Sequence, residues 1–161
     1  DFDSFDINDL SQNIEVKKFS SDKDETDGEL ALNEAISRGA ENIYIIGAGG
    51  RREDHFFANI ILLYIALKNG VNAKIISDYS EILMFDGDIS LNVKKGYYLS
   101  IVPFKDSLHI INTEGLKYKI SDGIISYDNT LGISNVITED TVKISVKSGC
   151  GIIFITKERA F

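Results

Sequence analysis

"NIYIIGAGGRREDHFFANIILLYIALKNGVNAKIIS", residues 42–77, decides the fold class. Its opening NIYIIG (42–47) is a short apolar run closed by glycine, the pattern of a strand buried in a parallel sheet. EDHFFANIILLYIALKNG (53–70) reads as a helix, with acids in the first turn and Lys68, Asn69 and Gly70 closing it. Phe56, Phe57, Ile60, Ile61, Tyr64 and Leu67 give this helix an apolar face wide enough to be covered from two sides. NAKIIS (72–77) then returns as a strand.

Upstream, IEVKKF (14–19) alternates as a short strand does. TDGELALNEAISRG (26–39) follows, with Thr26 and Glu29 at capping-box spacing, Leu32, Ala35 and Ile36 on one face, Arg38 in the last turn and Gly39 beyond it. Strand, helix, strand, helix, strand is the order of a doubly wound parallel α/β sheet. After about residue 80 the period changes. EILMF, ISLNV, YYLSIVPF, LHIINT, LKYKI, ISNVI, VKISV and IIFITK are short β-like runs separated by Gly, Asp and Asn. DGD (86–88) and SDG (121–123) look like hairpin connections. The expected organisation is therefore an α/β domain over residues 1–85 and an all-β sandwich over 86–161.

Composition narrows the chemistry. The 161 residues are 43% apolar and 26% charged, with a net charge of −8, one Cys and two His. No basic patch marks a nucleic-acid or anionic-membrane binder, and ANIILLYIAL stops far short of the ~20 apolar residues that span a bilayer. The lone Cys150 fits a reducing compartment, so the cytoplasm is the expected location. Few His and Cys disfavour a zinc site, and no Ser-His-Asp or Cys-His arrangement stands out. What remains is carboxylates, arginines and glycines.

Three stretches carry them. In DFDS (1–4), Asp1 and Asp3 point to one side if the backbone is extended, and such a pair either shares a magnesium ion or forms an acidic turn. SDKDETDGE gathers Asp22, Asp24, Glu25 and Asp27 at a helix start, which the helix dipole favours with or without a ligand. GAGGRREDH lies between a strand and a helix. Gly47, Gly49 and Gly50 let backbone N–H groups approach an anion, and Arg51 and Arg52 add fixed positive charge. It is neither a Walker A loop nor G-x-G-x-x-G, since Arg52 stands at the third glycine position. His55 is a base, a ligand or a backbone partner, and His109 alternates within a strand. Carboxylates, a divalent metal and arginines are together the equipment of phosphoryl transfer.

The order of motifs DFDS (1–4), DETD (24–27), GAGGRREDHFFANI (47–60) and GISN (132–135) resembles the thiamine pyrophosphokinase family. The resemblance implies a nucleotide-binding α/β domain followed by a thiamine-binding β-sandwich. It implies Mg2+-dependent transfer of a pyrophosphoryl group from ATP to the thiamine hydroxyl, giving thiamine diphosphate and AMP. Asp1, Asp3 and Asp27 fall on the family's metal and phosphate acids. Arg52 faces phosphate, with Gly47, Gly49, Gly50 and Arg51 in the nucleotide loop; Asp54, a candidate proton acceptor, lies near thiamine or the phosphate chain, and His55 beside it is a substrate contact. Ser134 and Asn135 fall on the thiamine position. The resemblance further implies a homodimer with its site between subunits, and several dozen residues ahead of DFDS, so that this chain is part of the enzyme. The alternatives are a related pyrophosphokinase and a module that binds nucleotide or thiamine without turnover.

Overall fold

The structure is a computed structural model that describes residues 15–19, 22–50 and 52–157. Helix α1 (Asp27–Ser37) starts as its sequence predicts. Thr26 is the N-cap, and its Oγ1 accepts a hydrogen bond from the Glu29 N–H at 3.2 Å. Strand β1 (Asn42–Ile46) leads through the glycine loop into α2 (Glu53–Lys68), which ends at Asn69 with Gly70 at φ 71°. Strands β2 (Asn72–Ile76) and β3 (Ser80–Phe85) follow, then β4 (Ile89–Asn92), β5 (Tyr98–Glu114), β6 (Ser121–Ile125), β7 (Asn135–Val136) and β8 (Thr141–Thr156).

One mixed sheet runs β1-β2-β3-β8-β5-β6, with β4 paired to β8 and β7 to β5. Among the described residues, parallel pairing is confined to β1–β2; every other pair is antiparallel. The expectation of a doubly wound parallel sheet followed by an all-β sandwich is met at a coarser level, as a sheet-rich mixed fold with two helices. β3 and the end of β8 join its two halves because they are buried on both faces. Ile82, Met84 and Ile152 pack in the core under α2, with Leu63, Ala66 and Ile75. Their neighbours Leu83, Phe85, Ile153 and Ile155 face the opposite way, into a second core with Leu99, Leu108, Ile125 and Val142. Alternation along a strand sends successive side chains to opposite faces, so a strand apolar at every position serves two cores.

Several expected breaks are absent. YYLSIVPF and LHIINT form the single strand β5, and VKISV and IIFITK form the single strand β8. The Gly149 and Gly151 that read as a turn lie inside β8, where the ladder to β5 shifts register between Phe104 and His109. A Cβ on Gly149, which sits at φ 98°, would come 2.5 Å from the Ser107 carbonyl oxygen, and one on Gly151 would come 2.7 Å from the Phe85 ring. These glycines admit a close crossing within the sheet. Likewise SDG (121–123) lies within β6, and DGD (86–88) joins two strands that both pair with β8, so neither is a hairpin turn. Residues 15–19 form no strand; Lys17 pairs with Glu34, and Glu15 with Arg38, along α1.

Candidate functional site

The glycine loop is built at the carboxyl end of β1. Gly47 turns the chain at φ 74°, a conformation costly for any residue with a Cβ. Ala48 is buried beneath, and Gly49 and Gly50 stand exposed; apart from chain neighbours, no atom of the described residues lies within 4 Å of where a Cβ would be. Arg52 holds the N-cap position of α2 and has no side-chain oxygen to offer its N–H groups. An anion at that turn would meet a helix start that Arg52 does not cap and the positive end of the helix dipole.

Asn59 fixes the loop from below: its Nδ2 donates to the Ala48 carbonyl oxygen at 3.0 Å. The same side chain meets α1, because a Cβ on Gly28 would lie 3.6 Å from Asn59 Oδ1 and 3.1 Å from Leu62 Cδ1. Gly28 follows Asp27 directly, so the structure brings the start of α1 and the glycine loop to one corner. Asn59 had a place in the sequence pattern but no predicted role.

Charge at this corner is paired. Arg52 donates to Asp54 through Nε at 3.1 Å and through Nη2, a two-point contact that leaves the other edge of the guanidinium to solvent. The Arg52 bond lowers the Asp54 carboxyl to about 2. Lys23 bonds Asp27 Oδ1 and is the leading cause of its lowering, also to about 2. Both carboxylates therefore stay ionised at any working pH. His55 is exposed on the first turn of α2, and Asp22, Asp24 and Glu25 are exposed ahead of α1. Asp1, Asp3 and Arg51 lie outside the described residues, among which no three potential ligands gather for a metal.

Ser134 and Asn135 stand elsewhere. Ser134 takes φ 58°, and its N–H donates to Ser100 Oγ at 3.0 Å. Asn135 is committed to backbone: its Nδ2 donates to the Tyr118 carbonyl at 2.6 Å, and its Oδ1 accepts from Tyr118 N–H at 3.0 Å and Val136 N–H at 2.9 Å. It thereby forms one wall of a cavity of about 300 Å³, shared with Ile101, Tyr118, Ile120, Leu131 and Gly132. Strand register relates this place to the glycine loop. Ile46, Ile76, Glu81, Ile155, Leu99 and Asn135 are successive partners across one row of the sheet. The two places share one end of the sheet but are five strand spacings apart, about 24 Å measured along it. Within one chain the sheet does not bring them together.

Comparison with known proteins agrees across the chain. Residues 1–75 match the family model "Thiamin pyrophosphokinase, catalytic domain", and residues 88–151 match "Thiamin pyrophosphokinase, vitamin B1 binding domain". Thiamine pyrophosphokinase of Bacillus subtilis (strain 168) is 34% identical over 134 residues, 81% of this chain and 62% of that protein. The crystal structure of thiamine pyrophosphokinase from Bacillus subtilis superposes with a TM-score of 0.80 at 31% identity, over 85% of this chain and 65% of that one. That of thiamin pyrophosphokinase from Geobacillus thermodenitrificans gives 0.77 at 26% identity, over 87% and 65%. The chain thus spans somewhat under two thirds of the length of these relatives. Its two halves carry the two domain signatures in the expected order, and on sequence and fold together the chain belongs to the thiamin pyrophosphokinase family.

Proposed function

We propose that this chain is part of a thiamine pyrophosphokinase, a transferase that moves the pyrophosphoryl group of ATP to the hydroxyl of thiamine, giving thiamine diphosphate and AMP. The observation that carries the reading is the loop between β1 and α2. It combines two glycines open to approach, a helix start without a side-chain cap, and an arginine whose guanidinium bonds Asp54 along one edge and, among the described residues, nothing along the other.

In this reading the glycine loop and the first turn of α2 receive the phosphate chain, and the free edge of Arg52 faces the transferring group. The thiamine hydroxyl oxygen bonds to the β-phosphorus as the bond from that phosphorus to the bridging oxygen breaks; AMP departs with the bridging oxygen, and the hydroxyl proton is released to solvent. A carboxylate held near 2 by an arginine is a poor proton acceptor. We therefore assign Asp54 to orienting Arg52 rather than to taking the hydroxyl proton; His55, exposed on the same turn, is the proposed thiamine contact on this side of the site. Asp27 fits a divalent cation: it is an exposed, ionised oxygen donor that already faces a cationic group. With Asp1 and Asp3 it would hold Mg2+, which when bound offsets charge on the phosphate oxygens.

Ser134 and the Asn135 pocket wall are the proposed thiamine contacts. Their separation from the loop along the sheet favours a homodimer in which one subunit's loop faces its partner's thiamine pocket. The acidic chain suits a cationic substrate. No described helix is long and apolar enough to cross a membrane, and the cytoplasm and a role without nucleic acid remain our proposal.

The test is AMP release from Mg-ATP with and without thiamine, using the full-length protein. Thiamine-dependent AMP should appear and fall by on the order of a hundredfold in kcat for Arg52→Lys, whose point charge lacks the two-edged fork. Thiamine binding without AMP release would instead favour the non-catalytic module.

A further inference from the structure

We propose that Lys23 is a positioning residue that occupies the metal's place on Asp27 until nucleotide phosphate draws it away, so that divalent cation and nucleotide bind as a pair. The inference rests on the reading of Asp27 as a metal-holding carboxylate. Lys23 precedes the helix cap Thr26, where a cation opposes the positive end of the helix dipole. Two contacts offset that cost. Its ammonium bonds Asp27 Oδ1, and it lies 5.5 Å from the centroid of the Phe19 ring.

The exposures of the pair are unequal. Only 17% of the Lys23 side chain is accessible, against 53% of Asp27. The lysine is the held partner and the carboxylate the more accessible one, unlike an ordinary surface pair in which two flexible chains meet in water. A dication and an ammonium repel strongly at contact distance on one carboxylate, so metal entering alone must displace Lys23 from its seat. The displaced ammonium is tethered at the start of α1, beside the corner that holds the glycine loop. There it becomes a compact donor for phosphate oxygens. Nucleotide thus removes the obstacle to metal, and by reciprocity metal improves nucleotide binding.

The test uses Mn2+ as the probe, with free Mn2+ read by electron paramagnetic resonance on the full-length protein. Lys23→Met and Lys23→Gln should each bind Mn2+ alone on the order of 3–10-fold more tightly than the parent, the gain expected from removing one nearby screened positive charge. Lys23→Arg should behave as the parent, and the gain should vanish when Asp27→Asn is added. With an α,β-methylene analogue of ATP present, the advantage of Lys23→Met should disappear or reverse. Thermal unfolding of each variant shows that it is folded. Equal or weaker Mn2+ binding by both neutral variants would overturn the role of Lys23 and leave the metal reading standing. Failure of every variant and the parent to bind Mn2+ or the analogue would overturn both.

Discussion

Asn59 Nδ2 donates to the carbonyl oxygen of Ala48 across 3.0 Å, so a side chain from the second turn of α2 closes the loop that begins the same helix. Ala48 is buried, and its carbonyl has this amide as the partner the structure supplies. Asn59→Ala should cost about 1–2 kcal/mol in chemical denaturation, the penalty of a buried acceptor left unmade. It should also raise KM for ATP more than it lowers kcat, because the loop's donors lose their fixed placement. Unchanged stability together with unchanged KM would show that the loop holds its shape without Asn59.

Gly49 and Gly50 offer a sharper test of the loop. Among the described residues, no positive φ and no neighbouring atom requires glycine at either position. Gly49→Ala and Gly50→Ala should therefore melt within a degree or two of the parent, the shift of a change below about 0.5 kcal/mol. If phosphate approaches this backbone closely, both should nevertheless weaken nucleotide binding in calorimetry. Full affinity in both variants would remove the glycine loop from the nucleotide site.

Gly149→Ala predicts the opposite pattern. Its φ of 98° and the Ser107 carbonyl 2.5 Å from a would-be Cβ leave no room to relax except by moving backbone. A loss of about 2 kcal/mol or more is expected, with ligand affinities unchanged in the molecules that fold.

These three glycine sites show what was legible in the sequence and what was not. β1, α2 and β2 could be read locally, because period, caps and closing glycine all lie within the segment itself. Gly149 and Gly151 carry the same letter as a turn, yet their reason is the approach of Ser107 and Phe85, far away in sequence. Read locally, the long strands β5 and β8 therefore fall into four runs. Asn135 shows the same limit. Its place in GISN pointed to a ligand but gave no sign that its amide holds the backbone of Tyr118. The pairing of Arg52 with Asp54 was nearer the surface of the sequence, since an i, i+2 arginine and aspartate meet easily around a helix start. What no local pattern could give is the separation of Ser134 from the loop, which depends on the order of strands.

The pH dependence of stability follows from Asp54. Its carboxyl titrates at about 2 in the folded chain against 3.8 for the unperturbed group, with Arg52 the leading cause. A depressed folded value means that the contribution is fully present above the unfolded value and is lost as pH falls through the folded one. The stability difference between the parent and Asp54→Asn should therefore be flat above about pH 5, narrow between pH 4 and pH 2, and be gone below. It should also be small and sensitive to salt, because both partners are exposed. A difference that persisted at pH 2, or one that grew on acidification, would contradict the pairing.

The proposed homodimer makes the last prediction. If the loop of one subunit serves the thiamine pocket of its partner, Arg52→Ala and Ser134→Ala disable opposite sides of the same shared site. Each homodimer would be weak, since both of its sites lack a component. A mixed dimer would combine both lesions in one site and leave the other intact, because a two-fold interface places the same pair of surfaces together twice. Unfolding and refolding the two variants together should then restore thiamine-dependent AMP release above that of either alone. Sites completed within a single chain would show no such recovery, since every chain in the mixture carries one lesion. The Ser134 side chain is suitable for this purpose: the recorded bond to Ser100 is made by its backbone N–H, which alanine retains. Absence of recovery in dimers shown to have exchanged subunits would place both halves of the site on one chain, despite the five strand spacings between them.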